Sequence, residues 1–222
     1  MWSLSTFPIL LLGLAVLFWA PVAKADCPHN DDDTHQHCGG EPTPSTDEMI
    51  LNHLEPKLVF VTNGQFTGDL GGLVGADAKC QAAADDASLG GTFQAWLSDG
   101  DPDPDYPGSV STPTNRWDTL AQNLYFMIGG RPIAANYTDL LLRLKLLESP
   151  QITETGAPVF DFVWTGTSGH GTLIGEGCDD WTSEDGAVTG WAGDPQRVDG
   201  GWTTGGGAFS CNTPLHLYCF EQ

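Results

Sequence analysis

Basic residues are scarce in this chain. Its 222 residues include 8 Lys and Arg against 29 Asp and Glu, which gives a formal net charge of −21 at pH 7. This excess of negative charge repels phosphate backbones and anionic lipid headgroups, so we expect neither nucleic acid nor an anionic membrane surface as a partner. Cations, basic partners and neutral ligands are compatible with it.

Motifs of catalysis are also missing. The chain has no Gly-x-Ser-x-Gly, no His-Glu-x-x-His, no phosphate-binding loop and no Cys-x-x-Cys, so common hydrolase, NTPase, thioredoxin-like and zinc-ribbon patterns are absent. Ser168 and His170 resemble a nucleophile and its base, but no third residue can be named to orient them. We therefore expect a protein without catalytic activity.

The N-terminal region contains an apolar run at 9–18 that is too short for a confident membrane span. Pro21 and the small-x-small sequence Ala23-Lys24-Ala25 follow it, a pattern typical of a secretory signal peptide. We predict cleavage after Ala25, and hence an extracellular protein or, in a bacterium, one of the periplasm or outer surface.

Beyond that segment the composition divides the chain in two. Residues 26–57 form an acidic, His/Asp/Pro-rich tail or linker, in which Cys27 and Cys38 are close enough to pair locally. Residues 58–222 predict one α+β domain with short strands, long Gly-rich loops and a helix at 76–87 whose Cys80 points inward. Six cysteines in a secreted chain indicate a disulfide framework. They are Cys27, Cys38, Cys80, Cys178, Cys211 and Cys219.

Four ordered motifs carry a resemblance to a known family. They are GADAKCQAAADDASLGGTFQAWLSD at 75–99, VWTGT at 163–167, CDDWTS at 178–183 and SCNTPLHLYCF at 210–220. In this order they resemble the endostatin-like branch of the C-type lectin-like fold, and especially a bacterial secreted domain of unknown function with that fold. The resemblance implies nested disulfides, Cys80–Cys219 outside and Cys178–Cys211 inside.

Ligand contacts are expected in the long loops between Trp164 and Ser210. Exposed aromatic rings stack on sugars, whereas buried ones fill a core. Trp164 and Trp181 lie in the family motifs, and we expect them in the core. Trp191 and Trp202 lie in Gly-rich loops and are candidates for an exposed aromatic surface that binds a ligand. Core packing is the alternative for at least one of them.

Calcium is a possible cofactor, although the lectin triplets that hold Ca²⁺ and sugar (Glu-Pro-Asn or Gln-Pro-Asp, and Trp-Asn-Asp) are absent. Asp99, Asp101 and Asp103 alternate as in a calcium loop, but Pro104 and Val110 replace its glycine and glutamate. A second candidate includes Asp179 and Asp180, with Glu184 and Asp185 close behind. A solvated acidic loop is the alternative in both places.

Zinc is the other possible cofactor. His29, His35 and His37 lie with three aspartates between two cysteines, and imidazoles with carboxylates bind this metal. Endostatin holds zinc near its N-terminus, but Lys57 stands where a zinc histidine would precede the first strand. An ordinary solvated linker is the alternative.

The sequence therefore predicts a secreted recognition or adhesion module that binds a glycan or an extracellular protein. One alternative is a metal-dependent hydrolase or metal-binding protein that uses the histidine tail, and another is a structural envelope or matrix component. Asn136-Tyr137-Thr138 is also an N-glycosylation sequon.

Overall fold

The structure is a computed structural model that describes residues 56–100, 102–103, 106–117, 123–142, 145–175 and 177–222, without the side chains of 102–103, 106–110 and 142. The predicted signal peptide, the Cys27–Cys38 pair and the predicted tail up to residue 55 lie outside these residues, whereas Lys57, the last residue of that tail, begins the first strand. No helix within them combines the length and apolarity needed to cross a membrane.

Most strands belong to one sheet with the order β6-β5-β1-β10-β7-β8-β9, and β2 also pairs with β10. A separate ribbon joins β3 to β4. The strands are β1 Lys57–Val61, β2 Phe93–Ala95, β3 Pro102–Asp103, β4 Tyr106–Val110, β5 Tyr125–Met127, β6 Pro132–Ala134, β7 Val163–Trp164, β8 Thr189–Gly193, β9 Gly207–Ser210 and β10 His216–Glu221. The short helical segments are α1 Gly72–Asp86, α2 Pro113–Arg116, α3 Tyr137–Leu142, α4 Cys178–Trp181 and α5 Gly201–Thr204.

Strand β10 is the centre of the sheet. It pairs with β1 on one edge and with β7 and β2 on the other. Its residues from His216 to Phe220 are all buried, because both faces of the strand are covered. All of them except His216 are apolar or aromatic, as expected for such a strand. The pairing places Phe60 opposite Cys219.

Helix α1 covers one face of this strand through small residues, Ala76, Cys80 and Ala84, all of which are fully buried. Cys80 forms the predicted disulfide with Cys219 across 139 positions. The predicted inward direction of Cys80 is confirmed, although the helix begins at Gly72, earlier than the expected 76–87.

The other face is covered by aromatic side chains. Trp96 lies 4.8 Å from Trp202 and 5.5 Å from Phe220 between ring centroids, and Tyr218 lies 5.3 Å from Trp202. The second predicted disulfide, Cys178–Cys211, spans 33 positions inside the first. The α+β architecture and the two nested disulfides are therefore confirmed, and the disulfides indicate an oxidising compartment.

Candidate recognition surface around Trp191

Two tryptophans of the Gly-rich loops have opposite environments. Trp202 is fully buried, because α5 turns its ring into the aromatic cluster. The prediction of an exposed aromatic surface at Trp202 is therefore wrong, and the expectation of core packing for at least one of these two tryptophans is confirmed. Trp191 is half-buried, and the other tryptophans of the described residues are all buried.

Strand β8 explains the orientation of Trp191. A Cβ added to its neighbour Gly190 would lie 2.7 Å from the Cys178 sulfur, so position 190 faces the inner disulfide. Since successive residues of a strand point to opposite faces, Trp191 points away from this disulfide. Its cross-strand partner on β9 is Ala208, which is exposed.

Three backbone segments hold Trp191. Its carbonyl accepts hydrogen bonds from the N–H groups of Thr165 (3.0 Å) and Gly166 (3.1 Å). Its indole N–H donates to the Thr204 carbonyl at 3.3 Å. Gly175 (φ +66°) lies against the ring, since a Cβ there would be 3.4 Å from Trp191 Cε3. One part of the ring is therefore fixed against backbone while another part meets solvent.

The segment α4 is a left-handed turn. Four successive residues have φ of 50°, 51°, 53° and 63°, from Cys178 to Trp181, and each non-glycine residue in this conformation costs about 1 kcal/mol. Cys178 is anchored by the inner disulfide. The Trp181 indole N–H donates to the Ser98 carbonyl at 2.9 Å. The predicted core positions of Trp164 and Trp181 are confirmed, since both are fully buried.

The acidic candidates lie in and around this turn. Asp180 Oδ1 accepts the Gly100 N–H at 2.6 Å, so this carboxylate connects α4 to the segment after β2, while Asp179 is exposed. Asp99 is buried with 5 % exposure, which contradicts a solvated loop at that position. Asp101 lies outside the described residues, as do His29, His35 and His37, and the side chain of Asp103 is not described. Among the residues that are described, no group of three or more His, Cys, Asp or Glu is placed to hold a metal ion.

Two histidines of the described residues have different surroundings. Ser168 Oγ accepts the N–H groups of His170 and Thr172, both at 3.2 Å, which is the geometry of a side chain that stabilises a turn. His216 is buried in β10 with Nδ1 2.6 Å from the Thr62 carbonyl and Nε2 3.1 Å from the Gln65 amide nitrogen. The carbonyl requires a proton on Nδ1, so Nε2 accepts from Gln65 and this histidine joins two segments of the fold.

An ion pair supports the helix that contacts Trp191. Arg197 Nε donates to Asp199 Oδ1 at 2.7 Å, and the same oxygen accepts the Gly201 N–H at 3.0 Å, at the start of α5. The hydrogen bond from Arg197 lowers the pKa of Asp199 to about 2, and the Gly201 N–H contributes to the shift. The negative charge of Asp199 is therefore retained in acid.

A cleft that the sequence did not indicate lies on β6. It has a volume of about 600 Å³ and its lining includes Ile133, Leu146 and Leu147, with Asp139 and Lys145 as charged residues. The segment 146–147 forms one wall, because the Leu147 N–H donates to the Ile133 carbonyl at 2.8 Å. The cleft depends on the pairing of the segment 146–147 with strand β6, more than ten residues away in the sequence, which explains why no local pattern marks it.

Comparison with known proteins gives one family. A family model described as "Protein of unknown function (DUF1554)" matches residues 63–198, which is more than half of the chain. The matched range begins just after β1 and includes the left-handed turn and Trp191. No curated protein matches the chain.

Proposed function

This chain belongs to the DUF1554 family, and we propose that it is a secreted, non-catalytic recognition module that binds a glycan at Trp191. The half-buried indole of Trp191 is the observation that carries this proposal. Its partly exposed ring offers an apolar surface to the C–H face of a sugar, while the contacts with Gly175 and Thr204 restrict its motion.

We further propose a C-type lectin-like, endostatin-like fold. Two features support it: the first and last strands of the sheet, β1 and β10, pair antiparallel, and a disulfide joins the long helix to the last strand. The inner disulfide joins α4, which precedes β8, to Cys211, which directly follows β9. In such an arrangement long loops present a binding surface on a rigid sheet.

Charge narrows the class of glycan. The chain has a formal net charge of −21 at pH 7, and Arg197, a cation in the loop before α5, is paired with Asp199. An overall negative charge repels sulfated and uronic sugars and attracts amines. The proposed ligand is accordingly a neutral or amine-bearing glycan.

The test compares Trp191→Ala with Phe160→Ala on a glycan array that holds neutral, amine-bearing and sulfated oligosaccharides. Phe160 is a suitable control because it is an aromatic residue with 64 % exposure that does not belong to the contacts described for Trp191. We expect Trp191→Ala to weaken binding of a neutral or amine-bearing glycan about tenfold or more, which corresponds to roughly 1.4 kcal/mol, and Phe160→Ala to bind like the wild type.

Three results would contradict the proposal: unchanged binding by Trp191→Ala, preferential binding of sulfated glycans, or no binding to any glycan by the folded protein. In the last case an extracellular protein becomes the ligand to examine, by pull-down with the wild type and the same two variants.

A further inference from the structure

We propose that a closed ring of three buried threonines positions Trp191 for ligand binding. The ring consists of Thr165, Thr167 and Thr203, each of which is fully buried. The role in ligand binding rests on the proposed function. The effect of the threonine ring on the position of Trp191 does not, and it can be measured without a ligand.

The ring is defined by three hydroxyl-to-carbonyl hydrogen bonds. Thr165 Oγ1 donates to the Thr203 carbonyl at 2.7 Å, Thr203 Oγ1 donates to the Thr167 carbonyl at 2.8 Å, and Thr167 Oγ1 donates to the Thr165 carbonyl at 2.7 Å. Thr165 Oγ1 also lies 3.3 Å from the Trp191 carbonyl, but its shorter contact is with Thr203. Since a carbonyl oxygen only accepts, the hydroxyl is the donor in each bond of the ring.

Neighbouring side chains complete the hydrogen bonding of the ring. The Trp96 indole N–H donates to Thr203 Oγ1 at 2.9 Å. Ser98 Oγ lies 2.8 Å from Thr167 Oγ1, and it must be the donor because Thr167 has already given its proton to Thr165. A buried network with all its protons assigned fixes one arrangement of the segments that it joins.

The two segments joined by the ring are two of the three that hold Trp191. Thr165 and Gly166 donate their N–H groups to the Trp191 carbonyl, and Thr204, the residue after Thr203, accepts the indole N–H. A shift of α5 relative to the end of β7 would therefore break one side of this support. The three threonines act on the ligand only through Trp191, so they are positioning residues.

The experiment removes one hydroxyl of the ring and measures the solvent access of Trp191. Thr165→Val loses the bond to Thr203 together with the 3.3 Å contact to the Trp191 carbonyl, and Thr165→Ser keeps a hydroxyl. Thr203→Val separates the two effects, because the Thr203 hydroxyl bonds to Thr167 and Trp96. Thr62→Val is the matched control. Thr62 is also buried, with 1 % exposure, and its hydroxyl donates to the Gly64 carbonyl at a distance of 2.8 Å. This bond does not belong to the contacts of Trp191. Acrylamide quenching of intrinsic fluorescence, with Trp191→Phe as the reference, isolates the signal of Trp191.

We expect Thr165→Val to raise the quenching constant of Trp191 about threefold relative to Thr62→Val and to weaken binding of the array-selected glycan by a similar factor. Thr165→Ser should restore both values to those of the wild type. Equal quenching of Trp191 in Thr165→Val and Thr62→Val would overturn the inference.

A second variant and a measurement on the wild type remove the dependence on one substitution. Thr203→Val breaks a different bond of the same ring and should have the same effect on quenching. In wild-type protein labelled with 5-fluorotryptophan, the fluorine resonance of Trp191 is identified by its loss in Trp191→Phe. We expect one sharp resonance, and two resonances for Trp191 would contradict a fixed position of its indole. These measurements need no glycan, so they test the threonine ring separately from the proposed function. If the proposed function fails, Trp191→Ala binds glycans as the wild type does, while Thr165→Val still raises the quenching constant of Trp191.

Discussion

At the scale of single residues, backbone geometry separates the two tryptophans that the sequence treated alike. Trp191 and Trp202 both lie among glycines, yet one belongs to a strand with a solvent-facing side and the other to a helix that turns toward the core. Their environments depend on pairings with distant segments, so no local pattern distinguishes them. The sequence therefore identified one of the two candidates correctly as partly exposed. Trp191 remains a candidate for ligand binding, and Trp202 does not.

Gly175 gives a prediction at this scale. Gly175→Ala places a Cβ at a position with φ +66°, so it should lower the free energy of unfolding by about 1 kcal/mol. The strained backbone should also shift the segment that lies against the Trp191 ring and so change the solvent access of the indole. Urea unfolding and acrylamide quenching measure the two effects.

The matched control for Gly175→Ala is Gly90→Ala. Gly90 has no atom within 4 Å of an added Cβ and is not in the left-handed region, so its substitution should leave both measurements close to those of the wild type. Equal effects of the two substitutions would show that contact with Gly175 does not restrain Trp191.

At the scale of elements, the sequence predicted what local periodicity controls. The helix that carries Cys80 and the apolar strand that carries Cys219 follow from strong helix formers and from a continuous apolar run. The left-handed turn at Cys178–Trp181 was not predicted, because aspartate, cysteine and tryptophan do not mark that conformation as glycine does. A disulfide, a buried indole and the Asp180–Gly100 hydrogen bond impose it from outside the segment.

The helix α5 gives a prediction about pH. The folded pKa of Asp199 is about 2, below the value of an unfolded aspartate, so its ionised form stabilises the fold above about pH 4 and this contribution disappears as pH falls through 2. The stability difference between wild type and Asp199→Asn should therefore be present at neutral pH and vanish near pH 2.

Urea unfolding of both proteins at several pH values tests this directly. Because Asp199 is more than half exposed, the difference should be small and should shrink in high salt. A difference that persists unchanged below pH 2, or one that grows on acidification, would contradict the assigned role of the ion pair.

At the scale of the whole molecule, two nested disulfides connect a sheet whose strands are mostly short. The outer bridge closes 139 positions and the inner one 33. Since loop-closure entropy grows with loop length, loss of the outer bridge should cost about 1 kcal/mol more than loss of the inner one. Urea unfolding of the Cys80→Ala/Cys219→Ala and Cys178→Ala/Cys211→Ala proteins measures this difference.

The two bridges should also differ in what they control. The inner bridge anchors the left-handed turn and lies against Gly190, the neighbour of Trp191, so its removal should raise the quenching of Trp191. Removal of the outer bridge should lower stability and leave the quenching of the folded protein unchanged. If removal of the outer bridge raised the quenching of Trp191 and removal of the inner bridge did not, the assignment of the inner bridge to the surroundings of Trp191 would be contradicted.

The most direct measurement of the central claim is a fluorescence titration of the folded, oxidised protein with chito-oligosaccharides, neutral and de-N-acetylated, and with a heparin fragment as the anionic probe. Trp191 is the partly exposed tryptophan among the described residues, so a glycan that stacks on it should change the emission and protect it from acrylamide. We predict this change with a neutral or amine-bearing oligosaccharide and its loss in Trp191→Phe. A saturable response of the same size in Trp191→Phe, or a response to heparin alone, would contradict the account.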